Sequence, residues 1–442
     1  MRRLALALAT LALLSGCQTA KTFLGLGTYY KPLPGERVAV LQVNSAQAAD
    51  PSLADVKVLL PQPFANPDWP QPGGYASHAM YHLQLGNSLH VVWTKSIGAA
   101  ADSEQKILSE PVVADGRVFA IDAESRVSAL NADTGAEIWH VNVAKDVDSD
   151  KLLGGGVAYD SGRVVVATSF GDVIALDAGT GRELWRRSVG APMRTGPTIA
   201  DGRVFVVTID NNLYALAEDD GRRLWSHNGL TETAGLLGTA SPAVFDNVVI
   251  VVYSSGEIYG LRVDSGRTIW SETLAGQIRT GAVATLADIR GRPLIDRDAT
   301  IAMSNSGTIA ALDLKAGSRV WDANFGGSQA PWIDGDYVFL LTSDQVLVSL
   351  TRQDGKVRWL TQLPKYVDPA DTTSDPILWH GPVLAGNRLI LTGTNAQALA
   401  VSPYTGKILG AIALPSSTHL PPVVAKGTLY ILADNADLIA LR

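Results

Sequence analysis

Cysteine is nearly absent: Cys17 is the only one among 442 residues. A lone thiol excludes disulfides within the chain and any structural zinc site built on thiolates. No basic stripe is present and the formal net charge is −7, so the electrostatic footprint of a nucleic-acid binder is missing. The apolar run Leu4 to Leu14 falls short of the ~20 residues a stable spanning helix needs. There is no Gly-x-Ser-x-Gly elbow. Gly154-Gly155-Gly156 lacks the strand–helix context of a phosphate cradle and reads as a turn. His78 and His82 are four residues apart, but in a Gly/Pro-rich context with no third ligand they read as loop residues and not as a metal site.

What is abundant is glycine, 42 residues, and it is periodic. Gly171 to Trp185 reads Gly-Asp-Val-Ile-Ala-Leu-Asp-Ala-Gly-Thr-Gly-Arg-Glu-Leu-Trp: an alternating strand, a Thr-Gly turn, and a second strand carrying tryptophan. The phrase recurs at Ser125–Trp139, Asn211–Trp225, Gly256–Trp270, Gly307–Trp321 and Asp344–Trp359. Within the unit ending at Trp225, Val204 to Val207 is apolar throughout, as a strand buried on both faces is. The turn glycines supply the positive φ that a tight hairpin needs.

Trp93 lies in the strand-like stretch Leu89–Ile97 without three strands before it, and Pro422–Leu441 supplies three strands without a fourth. The two deficits complement each other. With Trp93, Trp139, Trp185, Trp225, Trp270, Trp321 and Trp359, and an eighth equivalent position at Gly410, intervals of 38 to 51 residues predict eight units of about four strands. The expected fold is all-β: an eight-bladed propeller of four-stranded antiparallel blades over 87–442, its last blade closed by an N-terminal strand, with little or no helix. Closing the ring removes sheet edges that would otherwise invite aggregation. The tryptophans are expected to pack between blades and not against a substrate.

Upstream, Arg2 and Arg3, the apolar run, and Leu14-Ser15-Gly16-Cys17 resemble a bacterial lipoprotein signal, which implies residues 1–16 as signal peptide and Cys17 as the lipidated residue (diacylglycerol and palmitate). Gln18 in place of an aspartate resembles outer-membrane lipoproteins, which implies an anchor in the outer membrane with the protein facing the periplasm. Residues 17–86, with Pro32, Pro34, Pro51, Pro61, Pro63, Pro67, Pro70 and Pro72, read as a lipid anchor and extended tether. Val38 to Leu41 reads as a short strand. Asn66 to Gly74 resembles the segment leading into the first blade of quinoprotein-like propellers.

The words Ala-Leu-Asp-Ala-x-Thr-Gly-x-x-Leu-Trp at Ala175–Trp185 resemble the quinoprotein tryptophan-docking motif. Together with the lipoprotein signal and eight units, the chain resembles the BamB family of outer-membrane β-barrel assembly lipoproteins over about Trp69 to Arg442. Thr361 to Tyr366 and Ser374 to Leu384 are similar to the family's alphaproteobacterial form. The resemblance implies a non-enzymatic propeller without cofactor or metal. It would bind the POTRA domains of BamA, sit with the other BAM subunits, and act on unfolded outer-membrane protein clients. The same repeat also occurs in pyrroloquinoline-quinone dehydrogenases, so a periplasmic quinone-dependent dehydrogenase and a small-ligand-binding propeller are the competing readings.

In antiparallel four-stranded blades the interblade connections share one face and the Thr-Gly hairpins the other. The long connections are about 228–241, 276–292 and 361–381, and long loops on a rigid scaffold are where binding resides. The first two join consecutive blades. The resemblance places partner contacts there, at Leu236 and Leu237 in the first and at Asp288 and Arg290 in the second; Leu237 and Arg290 depart from the family's usual charges.

Overall fold

Each letter of the repeated phrase has a structural task, seen in the second blade of the computed structural model. Val164–Val166 pair with Ile174–Leu176, apolar on both faces and fully buried. Opposite Trp185 the register places Ala175, a residue small enough to leave room for an indole, and a β-bulge follows between Ala175 and Leu176. The same pairing and bulge recur at Ala129, Ala215, Gly260, Ala311 and Ser349 opposite their tryptophans. Asp177 then closes the turn: its Oδ1 accepts from the N–H groups of Gly179 and Thr180 and from the Thr180 hydroxyl.

The structure describes residues 48–144, 153–232, 238–274 and 288–442, all within one unit, Ala48–Arg442. Among them eight four-stranded sheets follow in chain order. Seven are formed by consecutive strands, at 112–142, 155–188, 198–228, 243–273, 294–323, 332–362 and 379–413; the eighth combines 423–441 with Val91–Ser96. All pairings are antiparallel, and Trp93 pairs with Ala440 in the closing blade. Among the described residues the helical content is a single 3-10 turn, Pro51–Leu53. The expected propeller and its closure by an N-terminal strand are therefore what the chain forms. Gly154–Gly156 differs from its reading as a turn: Gly155 and Gly156 open an inner strand, Gly155–Asp160. A Cβ on Gly156 would lie 2.2 Å from the Gly196 nitrogen, so glycine lets neighbouring inner strands approach.

Between blades the tryptophans interlock with glycine. The ring of Trp185 lies on Gly221 of the next blade's turn, where a Cβ would come within 2.5 Å of Cε3, and its Nε1–H donates to the Glu218 carbonyl at 3.0 Å. Trp139 sits likewise on Gly181 and donates to the Ala178 carbonyl; Trp270 sits on Gly317 and donates to the Leu314 carbonyl. Trp93, Trp225, Trp321 and Trp359 repeat the arrangement on Gly135, Gly266, Gly355 and Gly406. The turn glycine therefore has two duties, a positive φ of +66° to +73° and a flat platform. The exception at Gly410 follows from the same rule. In the closing blade Asp437–Leu441 pairs with Val91–Ser96 without a Thr-Gly turn between them, so no platform faces position 410.

The irregular segment before the first blade is not a free tether where the structure describes it. From Asn66 to Leu83 the chain makes one circuit of the propeller axis, bonding to the inner strand of blade after blade. Asn66 Nδ2 donates to the Val424 carbonyl, Trp69 exchanges both backbone bonds with Val113, and Tyr159 N–H donates to the Pro70 carbonyl. Gln71 clamps both the N–H and the carbonyl of Ile199 through its side chain. Val244 and Ile295 donate to Ala76 and Ser77, Trp332 Nε1 donates to the Tyr81 carbonyl, and Leu83 pairs with Leu384 and Gly386. Phe64 meets His82 and Gln84, closing the circuit on itself. The innermost strand of each blade would otherwise leave a row of polar backbone groups facing the channel. This strap satisfies them and closes the axis. Cys17, the signal region and Val38–Leu41 lie outside the described residues.

Two outcomes test this packing. Burying an indole contributes roughly 4–6 kcal/mol gross, so Trp185→Ala is expected to lose about 3–5 kcal/mol and Gly221→Ala a comparable amount, both read as a lowered midpoint in urea unfolding. Gln71→Ala leaves two buried backbone groups of Ile199 unpaired and is expected to cost about 1–3 kcal/mol; an unchanged midpoint would remove the strap from the account.

Candidate functional site

The interblade connections surround one mouth of the ring. Between the third and fourth blades the connection leaves from Asn228 and carries Leu230, 64% exposed, whose carbonyl accepts from Asn211 Nδ2; Ile209, in the strand turn that holds Asn211, is 39% exposed. The base of this loop is stiffened. Leu230 N–H donates to Glu257 Oε2 at 2.8 Å, and Glu257 Oε1 accepts from the Tyr259 hydroxyl at 2.7 Å. The His227 ring stacks on Tyr253 with planes 3° apart, and Tyr253 hydroxyl lies 2.9 Å from His227 Nδ1. Burial pushes the Tyr253 hydroxyl far above its ordinary range and lowers the His227 imidazole, so this ring pair is neutral at pH 7, beside a Glu257 carboxylate whose hydrogen bonds from Leu230 N–H, Tyr259 and Ser255 keep it ionised. The connection into the seventh blade carries the exposed Val367 and Leu378.

Leu236 and Leu237 lie outside the described residues. Asp288 and Arg290 belong to the base of the next connection and turn inward. Asp288 is 4% exposed, and its carbonyl accepts from Asn305 N–H. Arg290 packs over Gly238, where a Cβ would lie 2.6 Å from its Nε; burial lowers its pKa and the nearby Asp288 carboxylate opposes that. The structure therefore brings the bases of the two consecutive loops together through Arg290 and Gly238. Sequence reasoning treated Asp288 and Arg290 as surface groups. A pattern of charges without strand periodicity carries no signal of which way a loop base turns.

At the centre of this mouth lies an axial cavity of about 90 Å³. The strap residues Trp69, Gly73 and His78 line it together with the residues that lead into the inner strands, among them Glu110, Arg194, Arg290, Arg292 and His380. Arg292 grips Glu110 with two bonds, Nη2 to Oε1 at 2.8 Å and Nη1 to Oε2 at 3.1 Å, from the opposite side of the ring. Glu110 Oε1 also accepts from Gly73 N–H at 2.8 Å. The bridge spans the axis and pins the strap beneath it. Burial and the neighbouring Arg292 push His78 down to about 3; burial, His419 and Arg290 do the same to His380. Both imidazoles are neutral in the folded protein.

A quinone cofactor with a divalent cation is the group the fold's enzymes hold, and these residues do not fit it. Among the described residues one carboxylate lines the cavity, Glu110, and both its oxygens are engaged by Arg292 and Gly73. Three arginines line the same walls, the wrong charge for a hard cation's oxygen ligands. The volume is also below the ~300 Å³ at which sites for small organic ligands begin. Among the described residues no group of three or more His, Cys, Asp and Glu side chains converges as a metal site. His78 and His82 are tied instead to the carbonyls of Pro293 and Pro61.

The family model described as outer membrane protein assembly factor BamB matches residues 123–361, just over half of the chain. The chain is 28% identical to the BamB of Salmonella typhimurium and 27% identical to that of Escherichia coli, over 159 residues in each case. That stretch is 35% of this chain and 38% of each relative, well under the full length of the relatives it matches. In structure, the chain is similar to BamB from Moraxella catarrhalis with a TM-score of 0.66 and 18% identity, covering 80% of this chain and 100% of that one. It is equally similar to a quinohemoprotein alcohol dehydrogenase from Pseudomonas putida HK5, with a TM-score of 0.66, 12% identity, and 86% and 80% covered. At these identities the structural likenesses show the propeller alone. The match of the family model across the repeats identifies the chain as a member of the family of the outer membrane protein assembly factor BamB.

Proposed function

We propose that this chain is a non-catalytic scaffold of the outer-membrane β-barrel assembly complex, held at the periplasmic face of the outer membrane by lipid on Cys17. Its partner is BamA, engaged through the POTRA domains, within a complex that receives unfolded outer-membrane protein clients. The observation that carries this reading is the division of labour around the ring. The axis is lined by the chain's own strap, while the described bases of two consecutive interblade connections meet through Arg290 and Gly238, and Leu230 on the first of them is exposed. A rigid ring that spends its centre on itself has its rim left for recognition. In this reading Leu236 and Leu237 make the apolar contact. Asp288 and Arg290 hold the two loop bases at a common spacing, since both are turned inward.

The dehydrogenase reading draws on the fold alone, and the engaged Glu110 and the small cavity argue against it. Pull-down of the tagged chain from detergent-solubilised membranes separates the two: BamA recovered without quinone is expected, whereas bound quinone with dye-linked turnover would overturn the scaffold reading. Leu230→Asp, and separately Leu236→Ala with Asp288→Ala, are expected to reduce BamA recovery several-fold with the unfolding midpoint of Leu230→Asp unchanged. Wild-type recovery by both variants would remove this rim from the contact.

A further inference from the structure

The axial cavity holds more positive charge and more hydrogen-bond donors than its own walls satisfy. Trp69 is 2% exposed, and its Nε1–H, which can only donate, has no acceptor. For His380, 8% exposed, the tautomer follows from its neighbour. The Gln329 amide is oriented by Gly381 N–H, which donates to Oε1, so Gln329 Nε2 faces His380 Nδ1 at 3.2 Å. In that orientation, set by a 3.5 Å Gly381–Gln329 contact, Nδ1 accepts and the proton sits on Nε2, a second buried donor without an acceptor among the described residues. Thr239 Oγ1 is a third buried polar atom without a partner on the same wall. Arg194 lines the cavity with no carboxylate partner among the described residues, and its buried Nε is unsatisfied. Of the three arginines lining the cavity, Arg292 is paired with Glu110 and Arg290 lies near the Asp288 carboxylate, which leaves Arg194 without a counter-charge among the described residues.

Water would meet the donors but would leave the charge. A cation partly withdrawn from water without a counter-charge is unfavourable, and that cost falls on Arg194, which is half-buried and whose pKa burial lowers. A compact oxyanion answers both needs, since it brings negative charge and several acceptor lone pairs to one point. The size agrees. A single water occupies ~10–15 Å³ of such a space, so a cavity of about 90 Å³ takes a cluster of waters or one ion of phosphate size.

We propose that the axial cavity is a binding site for a compact oxyanion, a phosphate-sized ion or the carboxylate of a small acid, held by Arg194, Arg290, Trp69 Nε1–H and His380 Nε2–H. The site lies on the axis and the proposed BamA contact on the rim; the two readings share Arg290 alone, and Arg194 and Trp69, which carry the test, have no part in the rim contact. An ion bound there bridges the strap, through Trp69, to the residues leading into the third, fifth and seventh blades. It ties the plug to the ring.

Isothermal titration of the purified full-length chain with sodium phosphate, and separately with sodium acetate, at constant pH and ionic strength in chloride buffer tests the site. Saturable one-to-one binding of either ion is expected. Stronger phosphate binding assigns the phosphate-sized class, and stronger acetate binding assigns the carboxylate class. Each charge-assisted bond removed is expected to weaken affinity by about tenfold or more, so Arg194→Gln and Trp69→Phe should both bind more weakly than wild type. If Arg194→Gln does not fold, Trp69→Phe decides alone. Absence of saturable heat from both ions up to tens of millimolar, or wild-type affinity in the folded variants, overturns the proposal.

Discussion

An indole resting on a glycine is the contact on which this ring depends. It couples seven of the eight blades to the next at the outer wall, and it explains why the repeated phrase is written as it is. The small residue opposite the tryptophan gives the ring its space, and the aspartate closes the turn. The glycine both turns the chain and receives the neighbour's indole. Because the platform belongs to the following blade, no unit is complete alone. Stability in such an array comes from interfaces between repeats as much as from the repeats themselves. The closing blade has no Thr-Gly turn, and the blade before it has no tryptophan in its outer strand, where Gly410 stands.

A second constraint acts at the centre. Eight inner strands converging on an axis present backbone groups that need partners. The chain supplies them from one segment, Asn66 to Leu83, that visits every blade and closes on itself between Phe64 and His82. Rim and axis are thus held by different devices. The tryptophans join neighbours pairwise, whereas the strap and the Glu110–Arg292 bridge join blades that are distant in sequence and on opposite sides of the ring. The outcome is a rigid platform whose variable parts are the connections at one mouth, the arrangement expected of a protein that presents loops to a partner.

The blades were legible in the sequence because their signals are local and repeated: alternation, turn glycine and tryptophan at a regular interval. Even the closure could be read, from two incomplete units that fit together. The strap was not. Its residues bond to eight separate strands through mostly backbone groups, so no periodicity marks it, and prolines at 61, 63, 67, 70 and 72 read equally well as a tether or as a chain bent around an axis. Nor did the loops disclose their interior. Asp288 and Arg290 have the composition of surface residues, and only the close approach of Gly238 shows that Arg290 folds back over the neighbouring loop base. The polar lining of the axis was equally hidden, since Trp69, Arg194 and His380 are scattered over more than 300 residues.

In the proposed function the axis serves the chain itself and the rim serves a partner. Site-specific photocrosslinking in intact cells tests that division most directly, with the crosslinker placed at position 230 on the connection rim and, for comparison, at position 184 on an outer strand, where Leu184 is 38% exposed. The account predicts an adduct with BamA from position 230 and none from position 184. An adduct from position 184 with none from position 230 would contradict it.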